Sequence, residues 1–150
     1  MKPFSQLDTS TIKGNLIILD IDGTLAADAS SNVSGEIIKK VKELNINNEI
    51  VLCSNRNNHK RNEAVAAKVG VKYLHTNIRK PRLGILKTLQ NPHKKPLLVI
   101  GDKTMTDGWF AKRIGGKFVK VKRISSKRDS LIAKLIHALD DFAAHFISFN

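Results

Sequence analysis

Two aspartates separated by a single residue, Asp20 and Asp22, stand directly after the apolar run NLIIL and before a glycine-threonine pair. The run is short, branched and apolar, so it predicts a buried strand. Carboxylates gathered at the end of such a strand repel one another unless a cation joins them. The pattern therefore indicates a site in which a metal ion and an anionic ligand complete the charge balance.

Polar side chains also end two other predicted strands. Ser54 and Asn55 follow the run EIVLC, and Asp102 follows the run PLLVIG. In a parallel α/β sheet, ligands bind at the carboxyl ends of the strands, so we expect these side chains to converge with Asp20 and Asp22. A ligand set made only of oxygen atoms favours Mg²⁺, and a phosphate would complete such a site.

Helices are predicted between the strands. Ser34 can cap a helix over SGEIIKKVKEL, Gly70 ends one over HKRNEAVAAKV, and Pro81 can begin one that runs to Leu89. A further helix over TDGWFAKRI ends before Gly115, and VKYLH and KFVKVK predict two more strands. Strands that alternate with helices imply a Rossmann-like α/β domain, with a mainly parallel sheet covered by helices on both faces.

The length of 150 residues fits one domain over residues 1–150. Residues 1–13 look like a loose polar lead-in, and residues 126–149 predict a C-terminal amphipathic helix with a 3.6-residue apolar stripe. We see no apolar run of the ~20 residues that a membrane span requires, and no signal-peptide pattern. The single Cys53 excludes an internal disulfide, so a cytoplasmic location is expected.

The charge is large and unevenly distributed. The chain carries a net charge of +13, and residues 76–150 hold sixteen basic and five acidic side chains. Such a field favours acidic partners, whether phosphorylated metabolites, nucleic acid or anionic lipid, and charge alone does not choose among them.

Together the motifs resemble those of the haloacid dehalogenase (HAD) superfamily of phosphotransferases. The four ordered motifs of that superfamily correspond here to DIDGT (Asp20 to Thr24), SN (Ser54 and Asn55), KP (Lys80 and Pro81) and GDKTMTD (Gly101 to Asp107). Within the superfamily, the last three motifs are most similar to the small branch that resembles phosphatidylglycerophosphate phosphatases, the YqeG family. The resemblance spans roughly residues 15–122.

The resemblance implies a role for each motif residue. Asp20 would attack phosphorus and form an aspartyl-phosphate, and Asp22 would protonate the leaving group and later accept a proton from water. Ser54 would donate a hydrogen bond to a phosphoryl oxygen, with Asn55 beside the substrate. Lys80 would be a compensating positive charge near the phosphate. Its neighbours Arg79 and Arg82 leave open an ordinary solvated basic cluster at this position.

The same resemblance implies a magnesium site and a phosphate-binding turn. The side chains of Asp20 and Asp102 and the backbone carbonyl of Asp22 would surround Mg²⁺. Asp107 would anchor metal-bound water or hold Lys80, and helix capping is an alternative role for it. Gly23 and Thr24 would shape the turn after the nucleophile so that backbone N–H groups reach the phosphate. The five histidines lack metal-ligand spacing, and we assign them no role.

The distances between motifs leave no room for a cap domain. The segments from Asp22 to Ser54 and from Asn55 to Lys80 are long enough for little beyond core elements. An open site suits a large, surface-bound or polymeric substrate, or a lid supplied by another subunit, because small substrates generally need closure to exclude water. A segment 25–34 folded tightly over the site would weaken this hypothesis.

Three functions follow as alternatives. The first is a Mg²⁺-dependent phosphatase acting on phosphatidylglycerophosphate or a similar phosphomonoester. The second is a phosphatase for the terminal phosphate of a nucleic acid or nucleotide, and the third is a non-catalytic basic module that binds nucleic acid. The basic residues from Lys112 to Lys134 precede the apolar stripe, so peripheral contact with an anionic membrane is a further hypothesis. The alternative role of that stripe is to cover the protein's own sheet.

Overall fold

A computed structural model describes residues 1–125 and 131–146. It contains a five-stranded sheet in which every pairing is parallel. The strands are β1 (Leu16–Leu19), β2 (Glu49–Leu52), β3 (Lys72–Tyr73), β4 (Leu97–Gly101) and β5 (Lys117–Lys120), in the spatial order β3-β2-β1-β4-β5. The predicted Rossmann-like α/β fold is confirmed.

The central strand β1 determines where the site lies. Leu19 is in register with Leu52 of β2 and Ile100 of β4, so the three strands end at the same level. The chain then continues the ladder for one more step, with the Asp20 N–H donating to the Ile100 carbonyl at 2.9 Å and the Cys53 N–H to the Leu19 carbonyl at 3.0 Å. The polar residues that follow these strands therefore emerge at one edge of the sheet.

Helices cover both faces of the sheet, as predicted. Ile17 and Leu19 of β1 point into one apolar core with α1 (Gly35–Asn45) and α2 (His59–Val69). Leu16 and Ile18 point into a second core with α3 (Trp109–Arg113) and a 3₁₀ turn, Leu83–Lys87. Because both faces of β1 are buried, the strand is apolar throughout instead of alternating.

The predicted Ser34 cap of α1 and the predicted C-terminal ends of α2 and α3 agree with the structure, but α3 begins at Trp109 and not at the predicted Thr106. The Ser34 side chain accepts a hydrogen bond from the Ile37 N–H at 3.4 Å and caps α1. Gly70 ends α2 with φ of 75°, and Gly115 lies beyond α3 with φ of 67°. Both angles are in the left-handed region, which glycine reaches without a Cβ penalty.

Two local predictions were wrong. The lead-in 1–13 is not loose, because Phe4 is fully buried in the first core and Lys122 donates a backbone hydrogen bond to Lys2. The predicted helix from Pro81 to Leu89 is only the 3₁₀ turn Leu83–Lys87. Arg82 is extended, with ψ of 131°, and Gly84 disfavours a helix by about 1 kcal/mol relative to alanine.

The C-terminal helix α4 covers Leu131–Phe146 in the described chain, which lies within the predicted range. The predicted positions 126–130 and 147–149 lie outside the described residues. The Asp140 carboxylate accepts hydrogen bonds from the N–H groups of Thr104 and Met105 at 2.9 and 2.7 Å, which ties α4 to the turn after β4. On the described part of the stripe, Leu135, Ile136 and Leu139 are exposed, so these three side chains do not cover the sheet. In residues 1–125 and 131–146, no helix is both long and apolar enough to cross a membrane.

The burial of Phe4 predicts that the lead-in contributes to stability. Phe4→Ala should lower the free energy of unfolding by about 3–5 kcal/mol, because it removes a fully buried aromatic side chain and leaves a cavity. Denaturant titration would measure the change. Gln6→Ala, at an exposed position of the same 3₁₀ turn, is the control and should stay within about 0.5 kcal/mol of the parent. Equal stability of the two variants would contradict the packing described for residues 1–13.

Candidate functional site

Three buried carboxylates converge at the carboxyl edge of the sheet. Asp20 follows β1, Asp102 follows β4, and Asp107 lies in the wide helical turn Thr104–Gly108. One oxygen atom from each lies within 4.8 Å of the others. Gly101 makes this approach feasible, because a Cβ at that position would lie 2.4 Å from the Asp107 carboxyl carbon. The structure thus brings together the three aspartates whose carboxylates were predicted for the metal site, whereas Asp22 was predicted to contribute its backbone carbonyl.

Lys80 is the cation that faces this cluster. Its ammonium nitrogen lies 2.6 Å from Asp20 Oδ1 and 2.6 Å from Asp107 Oδ1, and its side chain is almost completely buried. Asn55 holds the Lys80 backbone from both sides, because its amide donates to the Lys80 carbonyl at 2.9 Å and its oxygen accepts from the Lys80 N–H at 2.7 Å. A solvated surface cluster is therefore the wrong description of Lys80. Asn55 also lines the cavity at the site, which is compatible with its predicted contact with the substrate. That contact stays a prediction.

Burial and mutual repulsion act on the protonation of the carboxylates. Burial raises the pKa of Asp20 to about 7; Lys80 opposes this shift, and Asp107 and Asp102 add to it. Burial likewise raises the pKa of Asp102 to about 6. Burial alone would lower the pKa of Lys80, but Asp107 and Asp20 outweigh it and hold that pKa above its ordinary value. The raised pKa values of Asp20 and Asp102 indicate that the nearby cations do not neutralise all the negative charge of this site.

The residues present fit a divalent cation. Asp102 Oδ1 is buried and has no hydrogen-bond partner among the described residues, while Oδ2 of the same carboxylate contacts Arg123. An unpartnered buried carboxylate oxygen is costly unless a ligand satisfies it. The donor set consists of oxygen atoms, which suits Mg²⁺, and the same residue set was predicted from the sequence.

Asp22 lies in a different environment from the cluster. Its carboxylate accepts a hydrogen bond from the Ser54 hydroxyl at 2.8 Å and contacts two guanidinium nitrogens of Arg61, each at 3.1 Å. Burial alone would raise the pKa of Asp22, but Arg61, Ser54 and the Ala29 N–H outweigh it and hold that pKa below its ordinary value. Two aspartates two residues apart are thus set to different proton affinities by their surroundings.

The turn after Asp20 depends on Gly23. Its φ is 84°, and a Cβ at this position would lie 2.4 Å from Asp102 Oδ2, so a side chain would collide with the carboxylate cluster. The Gly23 N–H donates to the Ala26 carbonyl at 2.7 Å, and the Thr24 N–H donates to the Ile21 carbonyl at 3.2 Å. The Thr24 hydroxyl also lies 3.4 Å from Asp20 Oδ2. A shaping role for this turn fits the geometry, whereas its phosphate contact stays a prediction.

Two arginines at the site were missed in the sequence. Arg61 is buried on α2 and also donates from Nε to the Ser30 carbonyl at 2.8 Å, and Arg123 contacts Asp102 and Asp28. The one sequence signal for Arg61 is its position four residues before Val65 on the buried face of α2. Arg123 lies in an irregular segment after β5, and its sequence context carries no such signal.

The segment 25–34 is held against the site by side chains from other elements. Asp28 pairs with Arg123 at 2.8 Å, the Ala29 N–H donates to Asp22 at 3.0 Å, and Lys68 donates to the Ser31 carbonyl at 2.8 Å. This packing weakens the hypothesis of a fully open site. A cavity of about 320 Å³ nevertheless reaches Asp20 and Asp22. Between Asp22 and Lys80 the chain, all of it described, adds α1, β2, α2 and β3 to this segment and no cap domain.

The chain matches a known protein family over most of its length. Residues 2–124, which include all four motifs, match the family described as "Mitochondrial PGP phosphatase". None of the curated proteins matches the chain. Among solved structures, a chain from "Structure of Pnkp1/Rnl/Hen1 complex" is similar, with 18% sequence identity and a TM-score of 0.49. The match covers 77% of this chain and 48% of that one, so the present chain spans about half the length of its solved counterpart.

The position of Lys80 predicts a large and pH-dependent stability effect. Lys80→Met should lower the free energy of unfolding by about 3–5 kcal/mol in the presence of EDTA, because Asp20 and Asp107 lose their buried cation. The folded parent already binds protons at Asp20 and Asp102 more tightly than the unfolded chain does, because burial raises the pKa of both. Without Lys80 the folded state should retain more of these protons between pH 6 and pH 8, so the loss should be larger at pH 8 than at pH 6. Denaturant titrations at the two pH values would measure it. Lys87→Met, at an exposed position, is the matched control, and a loss independent of pH would contradict this account.

Proposed function

The chain belongs to the PGP phosphatase family, a family of phosphoric monoester hydrolases within the HAD superfamily, and from this premise we propose that it acts through an aspartyl-phosphate at Asp20. The observation that carries the proposal is the buried cluster of Asp20, Asp102 and Asp107 around the Lys80 ammonium. A nucleophilic carboxylate needs positive charge beside it to approach a phosphate dianion, and this cluster is built to hold such charge.

Asp20 is the nucleophile in this mechanism. Lys80 holds Asp20 Oδ1 at 2.6 Å, and Thr24 lies 3.4 Å from Oδ2, so the carboxylate is restrained at the end of β1. Attack of Asp20 on phosphorus forms the aspartyl-phosphate and breaks the bond to the leaving alkoxide. Lys80 also faces the transferred phosphoryl group as a compensating charge.

Asp22 is the acid and base. Its lowered pKa favours the ionised form, which suits the second step, in which it accepts a proton from the attacking water. In the first step it donates a proton to the leaving oxygen. The phosphate dianion offsets the charges of Arg61 and Arg56 on Asp22, and this raises the proton affinity of its carboxylate when substrate is bound. Ser54 donates to Asp22 at 2.8 Å and orients it. With substrate bound, Ser54 would donate to a phosphoryl oxygen instead.

We propose that the metal is Mg²⁺. Asp20, Asp102 and the Asp22 carbonyl would hold it, with Asp107 as a direct or water-mediated ligand. When bound, Mg²⁺ neutralises the carboxylates and the phosphate so that the two anions can approach each other.

The preferred substrate is phosphatidylglycerophosphate or a similar phosphorylated compound. The family description and the net charge of +13 support an anionic substrate of this kind. The terminal phosphate of a nucleic acid is the alternative that the charge would also suit. The intact pair of Asp20 and Asp22 argues against a module that only binds, because binding requires no proton-transferring carboxylate beside a nucleophile.

We also propose that the whole chain forms one domain and works in the cytoplasm in peripheral contact with an anionic membrane. The buried free Cys53 supports a reducing compartment. The exposed Leu135, Ile136 and Leu139 on α4, which follow a strongly basic stretch, support the membrane contact.

A substrate panel tests the proposed activity. Purified protein with Mg²⁺ should release phosphate from phosphatidylglycerophosphate faster than from phosphorylated oligonucleotides or small sugar phosphates. Asp20→Asn should lower kcat by about three orders of magnitude, because it removes the nucleophile. Asp8→Asn changes the charge equally at an exposed position and should leave kcat unchanged. Full activity of Asp20→Asn, or activity on none of the substrates, would contradict the proposal.

A thermal shift experiment tests the metal site without turnover. Mg²⁺ at about a hundred times its Kd should stabilise the protein by about 2.7 kcal/mol and raise Tm accordingly. Asp102→Asn should remove most of this Mg²⁺-dependent increment, whereas Asp8→Asn should keep it. An increment of equal size in the Asp102 variant would mean that the ion binds elsewhere.

A further inference from the structure

A group of cations lies at the mouth of the cavity beside Asp20. The cavity of about 320 Å³ is lined by Arg56, Arg79 and Lys103, together with Asp20, Asp22, Asp28, Asn55, Asn57 and Thr106. We call Arg56, Arg79 and Lys103 the cationic rim. They belong to three separate loops, after β2, before Lys80 and after β4, so the fold brings them to one opening.

The rim differs from the buried cations of the site in having few acidic partners. Among residues 1–125 and 131–146, Arg79 and Lys103 have no carboxylate within ion-pair distance. Arg56 meets only Asp22, through Nε at 3.4 Å, and its side chain is 45% exposed. By contrast, Arg61, Lys80 and Arg123 each contact at least one carboxylate of the site. The rim charges are therefore available to a ligand.

A charge count shows what that ligand needs. The inner region contains five carboxylates and three cations, so two negative charges remain without a positive partner. The carboxylates are those of Asp20, Asp22, Asp28, Asp102 and Asp107, and the cations are Lys80, Arg61 and Arg123. One divalent ion supplies the opposite charge. The three positive charges of the rim then remain for the substrate. A phosphomonoester dianion neutralises two of them, and the third equals the charge of one phosphodiester.

We propose that the cationic rim is a binding site for a phosphodiester that lies next to the scissile phosphomonoester in the same substrate. This inference rests on the proposed phosphatase function and deepens it. The flat guanidinium groups of Arg56 and Arg79 are suited to paired hydrogen bonds with two phosphodiester oxygens, and Lys103 adds a point charge. The headgroup of a phosphorylated phospholipid and the phosphorylated end of a nucleic acid share this arrangement, whereas a simple sugar phosphate lacks it.

Two pairs of water-soluble ligands test whether the rim binds a phosphodiester. They also distinguish a phospholipid headgroup from the end of a nucleic acid as the source of that phosphodiester. The lipid pair is glycerophosphoglycerophosphate, which has the diester, and glycerol 3-phosphate, which lacks it. The nucleotide pair is the 5′-phosphorylated thymidine dinucleotide and thymidine 5′-monophosphate. Turnover with Mg²⁺ gives kcat and KM, and calorimetry on the Asp20→Asn protein gives affinities that do not depend on turnover.

The test variant is Arg79→Gln with Lys103→Gln, which removes two rim charges and keeps the ion pairs of the inner cluster. The control is Lys72→Gln with Lys117→Gln, which removes the same charge from exposed positions at the amino ends of β3 and β5. We expect the rim variant to raise KM and Kd about tenfold for the diester-containing member of at least one pair, because two charged contacts are lost. With the rim variant, the members without a diester should lose less affinity than their diester-containing partners, and with the control variant all ligands should change less than about twofold.

The outcomes separate this inference from the proposed function. A loss confined to the lipid pair identifies a lipid headgroup, and a loss confined to the nucleotide pair identifies a nucleic-acid end; both support the rim. Equal losses for both members of each pair, or no loss, would overturn it. If the parent protein turned over none of the ligands while the calorimetric preference for the diester remained and vanished in the rim variant, the proposed function would fail and the binding site would stand.

Discussion

The contact of one buried ammonium group with two carboxylates is the interaction on which the rest of the site depends. Lys80 lies 2.6 Å from both Asp20 and Asp107, away from water, where uncompensated charge is most costly. The surroundings are arranged to keep it there. Asn55 holds its backbone, and Gly101 leaves space for Asp107 to approach. Because the carboxylates still outnumber the cations around them, the same arrangement creates the demand for a divalent ion.

The difference in pKa between Asp20 and Asp22 has the same electrostatic origin. Burial, with a contribution from Asp107 and Asp102, raises the pKa of Asp20, whereas Arg61 and Ser54 outweigh burial and lower the pKa of Asp22. Environments that push two titratable groups apart are what an enzyme needs to give them separate roles. Arg61 therefore matters to the chemistry although it belongs to none of the four motifs, because it keeps the second carboxylate out of the cluster.

A short segment borders the site in place of a cap domain. Arg61, Lys68 and Arg123 bind residues 25–34 through hydrogen bonds or an ion pair. Arg61 and Arg123 also contact carboxylates of the site. The cationic rim lines the cavity beside Asp20. An inner region that requires a divalent ion and an outer one whose cations have few acidic partners would attract an anionic substrate and select the phosphorylated end that fits inside.

The sequence by itself determined the order of strands and helices, the alternation that requires a parallel sheet, and the edge at which Asp20, Ser54 and Asp102 emerge. These are local properties, since periodicity, the Ser34 cap and the glycines after α2 and α3 act within a few residues. Only the tertiary structure decided the partners of Lys80, which are 60 and 27 positions away along the chain, and the roles of Arg61 and Arg123. It also decided that Phe4 is buried and that the residues after Pro81 form a 3₁₀ turn. Such outcomes depend on which distant surfaces meet, and burial and charge pairing there outweigh the weak preferences of a short segment.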